Sequence, residues 1–228
     1  MMTAKRMVQG MEYAKGQGLV VEEEIRFRGY DETTKDSADI LFVDEQIVRD
    51  AENLTQNAGF AARLSKCVDI FNPIGEPRYL NAQERERNSW FNIRKFVGDA
   101  GVVFRAKMGR RNMVIAYSTP DRATILDPLI ADVQLNLGEN NIVEIHLYQE
   151  KSTRYDTLTK AIILRQRGVP ILSGEIGWTD PIAYTNGLLQ TSTREELGYI
   201  YYSMDTRTDK STNLMRSNLS TTIYGDLL

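Results

Sequence analysis

Near residue 99 the spacing of apolar positions along this chain changes from a helical to an alternating pattern, and that change predicts an α+β architecture. After Ser37, a good helix N-cap, Ile40, Val43, Ile47, Ala51 and Leu54 recur at spacings of 3, 4, 4 and 3, one face of an amphipathic helix over 37–57. Asn57-Ala58-Gly59 breaks it. Phe60, Leu64, Cys67, Val68 and Phe71 then draw a second helical stripe over 59–71, stopped by Asn72-Pro73. The segment 73–80, with two prolines and a glycine, reads as a connection. Asn81 followed by Glu84 resembles a capping pair, and Trp90, Ile93, Phe96 and Val97 form the buried face of a third helix over 81–98, closed by Asp99-Ala100-Gly101.

From there strands are expected. Segments 102–107 and 112–117, joined by Met108-Gly109-Arg110-Arg111, read as a β-hairpin. A second hairpin is expected from 130–137 and 142–148 around Gly138-Glu139-Asn140-Asn141, followed by a helix over 152–167 and strands at 169–172 and 199–204. The expected fold is therefore N-terminal helices followed by a mixed, mainly antiparallel sheet with a helix packed on it. In domain terms this gives an N-terminal arm (1–36) with one strand at 19–28, a helical region (37–98), a sheet region (99–204) and a polar C-terminal arm (205–228) pinned by Leu214, Met215, Leu219, Ile223 and Tyr224. No internal repeat is visible.

Composition narrows the chemistry. The 228 residues are 42% hydrophobic, enough for a real core, and the net charge of −3 favours no class of partner by itself. With one cysteine and one histidine, an intrachain disulfide, zinc fingers and histidine-built zinc sites are excluded. Cys67 lies on an apolar helical stripe and reads as a packed thiol. The charged start of the chain leads into no continuous apolar stretch, so no secretory signal is expected, and no apolar run approaches a membrane span. Between Glu84 and Arg111 eight basic residues face three acidic ones, and Arg105, Lys107, Arg110 and Arg111 form a candidate nucleic-acid contact around the expected hairpin turn.

The unit 130–168 holds the only histidine. In 142–148, Val143, Ile145 and Leu147 share one face while Glu144 and His146 share the other. Asp132 lies twelve residues before Glu144, where a hairpin would bring the two carboxylates together. Such a pair can hold a divalent metal that activates water against a phosphodiester. The order Asp132, Glu144-Ile145-His146, helix, strand resembles the PD-(D/E)xK nuclease family over roughly 40 residues. That resemblance implies a Mg²⁺-dependent endonuclease with Asp132 and Glu144 as ligands and His146 or Lys151 in place of the family's lysine. Two departures stand out: His146 occupies the lysine position, and the true Pro120-Asp121 pair lies 23 residues before Glu144, in a competing register.

The same stretch also supports a non-enzymatic reading. Val143-Glu144-Ile145-His146-Leu147-Tyr148 leading into a helix with Tyr155, Leu158 and Ile162 on one face, and the late Tyr199-Ile200-Tyr201-Tyr202, resemble the sheet-and-helix core of tailed-phage tail-terminator and neck proteins across residues 130–205. This resemblance implies a structural virion protein without a cofactor, found in the virion or the host cytoplasm. It would form a symmetric homo-oligomer, contact other assembly proteins through its polar arms and touch no membrane. It is the leading expectation, with the Mg²⁺-dependent nuclease as its alternative.

Overall fold

The computed structural model describes residues 4–24, 28–30, 37–39, 58–77, 82–87, 89–147, 151–176 and 190–201. The chain divides into two compact units, Met1–Ala123 with Leu137–Ile142, and Thr124–Asn136 with Val143–Leu228.

In the first unit α1 (Ala4–Gly16) is followed by β1 (Glu22–Glu24), a small antiparallel pair formed by β2 (Arg28–Tyr30) and β3 (Ser37–Asp39), α2 (Ala58–Cys67), β4 (Ile70–Asn72), α3 (Ala82–Arg87), α4 (Trp90–Met108), β5 (Val114–Ser118) and the short α5 (Pro120–Ala123). β1 pairs with β4 in parallel, Glu22 opposite Ile70, and β4 pairs in parallel with β5, Phe71 opposite Ile115. The core lies between these strands and α4, where Phe71, Ile93, Phe96, Val97, Phe104 and Ile115 are buried and the Phe71 and Phe104 rings stand 3.9 Å apart.

In the second unit α6 (Asp127–Ala131) precedes β6 (Asn141–His146, of which Val143–His146 belong to this unit), α7 (Lys151–Gln166), β7 (Ile171–Ile176) and β8 (Gly198–Tyr201). β6 pairs with β7 and β7 with β8, both in parallel. Helix–strand repeats with parallel pairing bury strands on both faces.

The mainly antiparallel expectation is thereby overturned. Residues 102–107 continue α4 and do not form a strand. Gly101, which looked like a stop, is where the helix comes close to β5: a Cβ there would stand 3.0 Å from Ile115 Cγ1. The expected hairpin turn is the end of this helix. Gly109 takes a left-handed φ of 65°, and its N–H and that of Arg110 return to the carbonyls of Ala106 and Arg105, at 3.2 and 3.0 Å. The strand expected at 130–137 is also absent. Pro128 sits in the first turn of α6, where its missing N–H costs nothing, and the chain after Ala131 is irregular up to Asn140.

The stripe read as one helix over 59–71 splits into α2 and β4. The strand expected at 169–172 is β7 with shifted bounds, β8 spans 198–201 against the strand expected at 199–204, whose residues 202–204 lie outside the described residues, and α4 runs from Trp90 well past the expected end at 98. Of the helix expected over 37–57, residues 37–39 form β3 and 40–57 lie outside the described residues, as does the C-terminal arm 205–228. Helix α1, inside the expected N-terminal arm, is tied to α2 by a two-pronged ion pair in which Arg63 donates to Glu12 at 2.7 and 2.6 Å. Among the described residues no helix is long and apolar enough to cross a membrane.

Candidate functional site

Parallel strands expose their last residues to the loops that follow, and in helix–strand repeats that carboxyl end is where function is grafted onto the frame. Both units bury polar groups there.

In the first unit β4 ends at Asn72, whose side chain is fully buried. Its Nδ2 donates to Ser118 Oγ at the end of β5 (3.1 Å), and its Oδ1 accepts the N–H of Ile74 (3.1 Å), folding the following loop back on itself. That loop brings Glu76, flanked by Gly75 and Pro77, to 5% exposure with φ at 49°, a left-handed conformation that a glutamate adopts at a cost of about 1–3 kcal/mol. Thr119, next after β5, is buried, and its Oγ1 finds no hydrogen-bond partner among the described residues. A strained acidic residue beside buried amide and hydroxyl groups is an expensive arrangement for a loop that only connects elements.

In the second unit Glu144 and His146 of β6 are each only 1% exposed, and His146 Nε2 lies 3.1 Å from Glu144 Oε1. Space for the carboxylate comes from β7, where a Cβ on Gly174 would stand 1.9 Å from Glu144 Oε1 and 2.7 Å from Cδ. The register explains this placement. Glu144 is opposite Leu172 and Ile145 opposite Ser173, after which the ladder slips so that His146 is opposite Glu175, leaving Gly174 in the irregularity. The polar face of β6, shared by Glu144 and His146, is interior, as parallel strands are covered on both faces.

Asp132 is not on a strand beside Glu144. It follows α6 as its C-cap residue, half-buried, with Oδ1 accepting the N–H of Gln134 at 3.2 Å. Lys151 opens α7. Among the described residues no group of three or more His, Cys, Asp or Glu side chains is placed to hold a metal ion. Asp121, of the competing Pro-Asp pair, sits in the short α5 with φ at 49°.

The basic cluster divides into two kinds of residue at the amino end of β5. Arg105 donates to the carbonyls of Met113 (2.9 Å) and Asn140 (2.6 Å) and to Asn141 Oδ1 (3.0 Å), and Arg110 donates to the carbonyls of Ser65 (2.8 Å) and Val68. Lys107 and Arg111 are exposed. Cys67 is buried as expected, and burial pushes its thiol up.

Sequence reasoning passed over Asn72, Glu76 and Glu175. Asn72 was read as part of a helix stop and Glu76 lay in the segment 73–80 taken for a connection, although an acid flanked by glycine and proline soon after an apolar run was the available signal. Glu175 follows Ile171-Leu172-Ser173-Gly174, the same kind of signal on β7.

No protein-family model and no curated protein sequence matches the chain. Solved structures do match its fold. The catalytic domain of a mannanase from Streptomyces sp. SirexAA-E superposes with a TM-score of 0.64 at 20% identity, over 99% of this chain and 69% of that one. A β-mannanase from Streptomyces thermolilacinus gives 0.64 at 18% identity, over 99% and 74%. A GH5-4 broad-specificity endoglucanase from Clostridum cellulovorans gives 0.68 at 16% identity, over 98% and 73%. These are parallel α/β barrel glycoside hydrolases, and the chain shares their fold over roughly seven-tenths of their length. The resemblances to phage tail-terminator and neck proteins and to PD-(D/E)xK nucleases are overturned, and with them the virion and nuclease functions. An alternating strand and a following helix are common to many α/β frames.

Proposed function

We propose that this chain hydrolyses β-linked polysaccharides, as the mannanases and endoglucanases that share its fold do by name. The observation that carries the reading is Glu76, a buried and strained carboxyl group at the carboxyl end of a parallel strand, with Asn72, Ser118 and Thr119 around the same strand ends. Cleavage of a glycosidic bond needs two carboxyl groups. One protonates the departing oxygen as the bond to the anomeric carbon breaks, while the other attacks that carbon or takes a proton from the attacking water. Glu76 is assigned to one of these roles. Glu175, next to last in β7, is the second unit's own candidate for such a role on its strand position, considered by itself.

Each carboxyl group is tested separately. Purified protein is incubated with β-mannan, carboxymethylcellulose and mixed-linkage β-glucan, and new reducing ends are counted. Hydrolysis of at least one is expected, with Glu76→Gln and Glu175→Gln each lowering kcat by about a hundredfold or more and leaving the unfolding midpoint near that of the parent. Absence of reducing ends from all three glycans, or full activity in both variants, overturns the reading.

A further inference from the structure

The buried pair on β6 has a role that the two-carboxylate reaction does not use. His146 is the last residue of its strand, in the layer where loops and substrate meet in such a fold, and Glu144 lies two residues deeper on the same face. An ionised Glu144 could only accept, and the Nε2 it faces at 3.1 Å would then carry the proton. Both groups are out of water, where a charge-assisted hydrogen bond holds its geometry firmly and an ill-placed one is costly. The space for Glu144 exists only because residue 174 has no Cβ.

We propose that Glu144 is a positioning residue that acts through His146, holding the imidazole in one orientation and protonation state at the carboxyl end of β6, with Gly174 as the residue that makes room for it. The proposal rests on the hydrolase reading for its effect on catalysis, but the coupling of the two side chains can be read without any substrate. The strand register sets Leu172 and Ser173 opposite Glu144 and Ile145, and Glu175 opposite His146.

Because His146 is the only histidine, the imidazole ¹⁵N and ring ¹H signals of the full chain belong to it alone. Removing a neighbouring carboxylate disfavours the imidazolium, so the His146 titration midpoint is expected to fall by about one pH unit or more in Glu144→Gln, with Glu175→Gln run beside it to separate the two carboxylates. In turnover, Glu144→Gln is expected to lose about tenfold to a hundredfold in kcat with KM within about twofold, and its pH–rate limb is expected to move with the NMR midpoint. Gly174→Ala, which keeps the carboxylate but displaces it, is expected to move the same signals. In a His146→Ala background Glu144→Gln is expected to add nothing further. Unmoved imidazole signals in both variants, or a Glu144→Gln loss that persists in full without His146, overturn the proposal. If the signals move while the parent cleaves none of the glycans, the coupling stands and the hydrolase reading is what fails.

Discussion

The two ends of the parallel strands are built on opposite principles. At the amino end of β5, Arg105 and Arg110 place their guanidinium groups on backbone carbonyls, and Asp69, just before β4, accepts from Lys15 and from the N–H of Val21. Every polar group named there closes a turn or ties one element to another. At the carboxyl ends, Asn72, Glu76 and Thr119 of one unit and Glu144 and His146 of the other are buried although apolar side chains would be cheaper there, and Glu76 carries backbone strain besides. The polar groups at the amino end tie elements together, whereas those at the carboxyl ends are gathered in the interior, Glu76 under backbone strain.

The comparison breaks most readily at Gly174. Alanine there puts a methyl group inside the volume of the Glu144 carboxylate, and the buried side chain or the strand must move. A loss of about 1–3 kcal/mol is expected from overpacking of this kind, measured by urea unfolding of the full chain. A Gly174→Ala protein as stable as the parent would mean that Glu144 has another place to go.

Arginine at the amino end sharpens the contrast. Arg110 is a tie and Arg111 is a solvated charge, although the sequence sets them side by side. Arg110→Ala leaves the carbonyls of Ser65 and Val68 without their donor and is expected to cost about 1–2 kcal/mol, whereas Arg111→Ala should stay within about 0.5 kcal/mol. Under the proposed function neither is expected to change glycan hydrolysis by more than about twofold, since neither stands at a strand's carboxyl end. Equal unfolding midpoints for the two variants would remove the distinction.

How much of this was legible in the sequence follows from the same physics. The β6–α7–β7 succession could be read, because β6 alternates cleanly and α7 buries Leu158, Ala161 and Leu164 before Gly168, at φ 85°, ends the turn after it. What could not be read was the second face of β6. Alternation marks a strand, and Glu144 and His146 look like its wet side until a parallel neighbour with a glycine at the right position encloses them. The region 99–140 failed for a different reason. α4 is a long helix with Val102 exposed and Phe104 buried, so its last turns imitate a strand's alternation, and the glycine that seemed to stop it serves close packing on Ile115. Of the candidate site, Glu144 and His146 were singled out for the wrong chemistry, and Glu76 was missed because a strained loop resembles any other loop until its burial is known.

The smallest expected effect concerns Asp69. Burial raises its carboxyl, but the hydrogen bond from Lys15 Nζ at 2.8 Å and the N–H of Val21 at 2.9 Å outweigh it, and the group is held below its ordinary value of 3.8. A carboxyl depressed in the folded state contributes stability that is fully present above its unfolded value and is lost as pH falls through the folded one. Both partners are partly exposed, so the ion pair is worth about 1 kcal/mol or less. Asp69→Asn is therefore expected to be slightly less stable than the parent at pH 7 and at pH 5 by the same amount, with the gap closing below about pH 4 as the parent's carboxylate takes up its proton. Urea unfolding of both proteins at pH 7, 5 and 3 measures this. A gap as wide at pH 3 as at pH 7 would show that Asp69 contributes through shape and the neutral hydrogen bond to Val21, and that the charge on this tie at the amino end carries none of the stability.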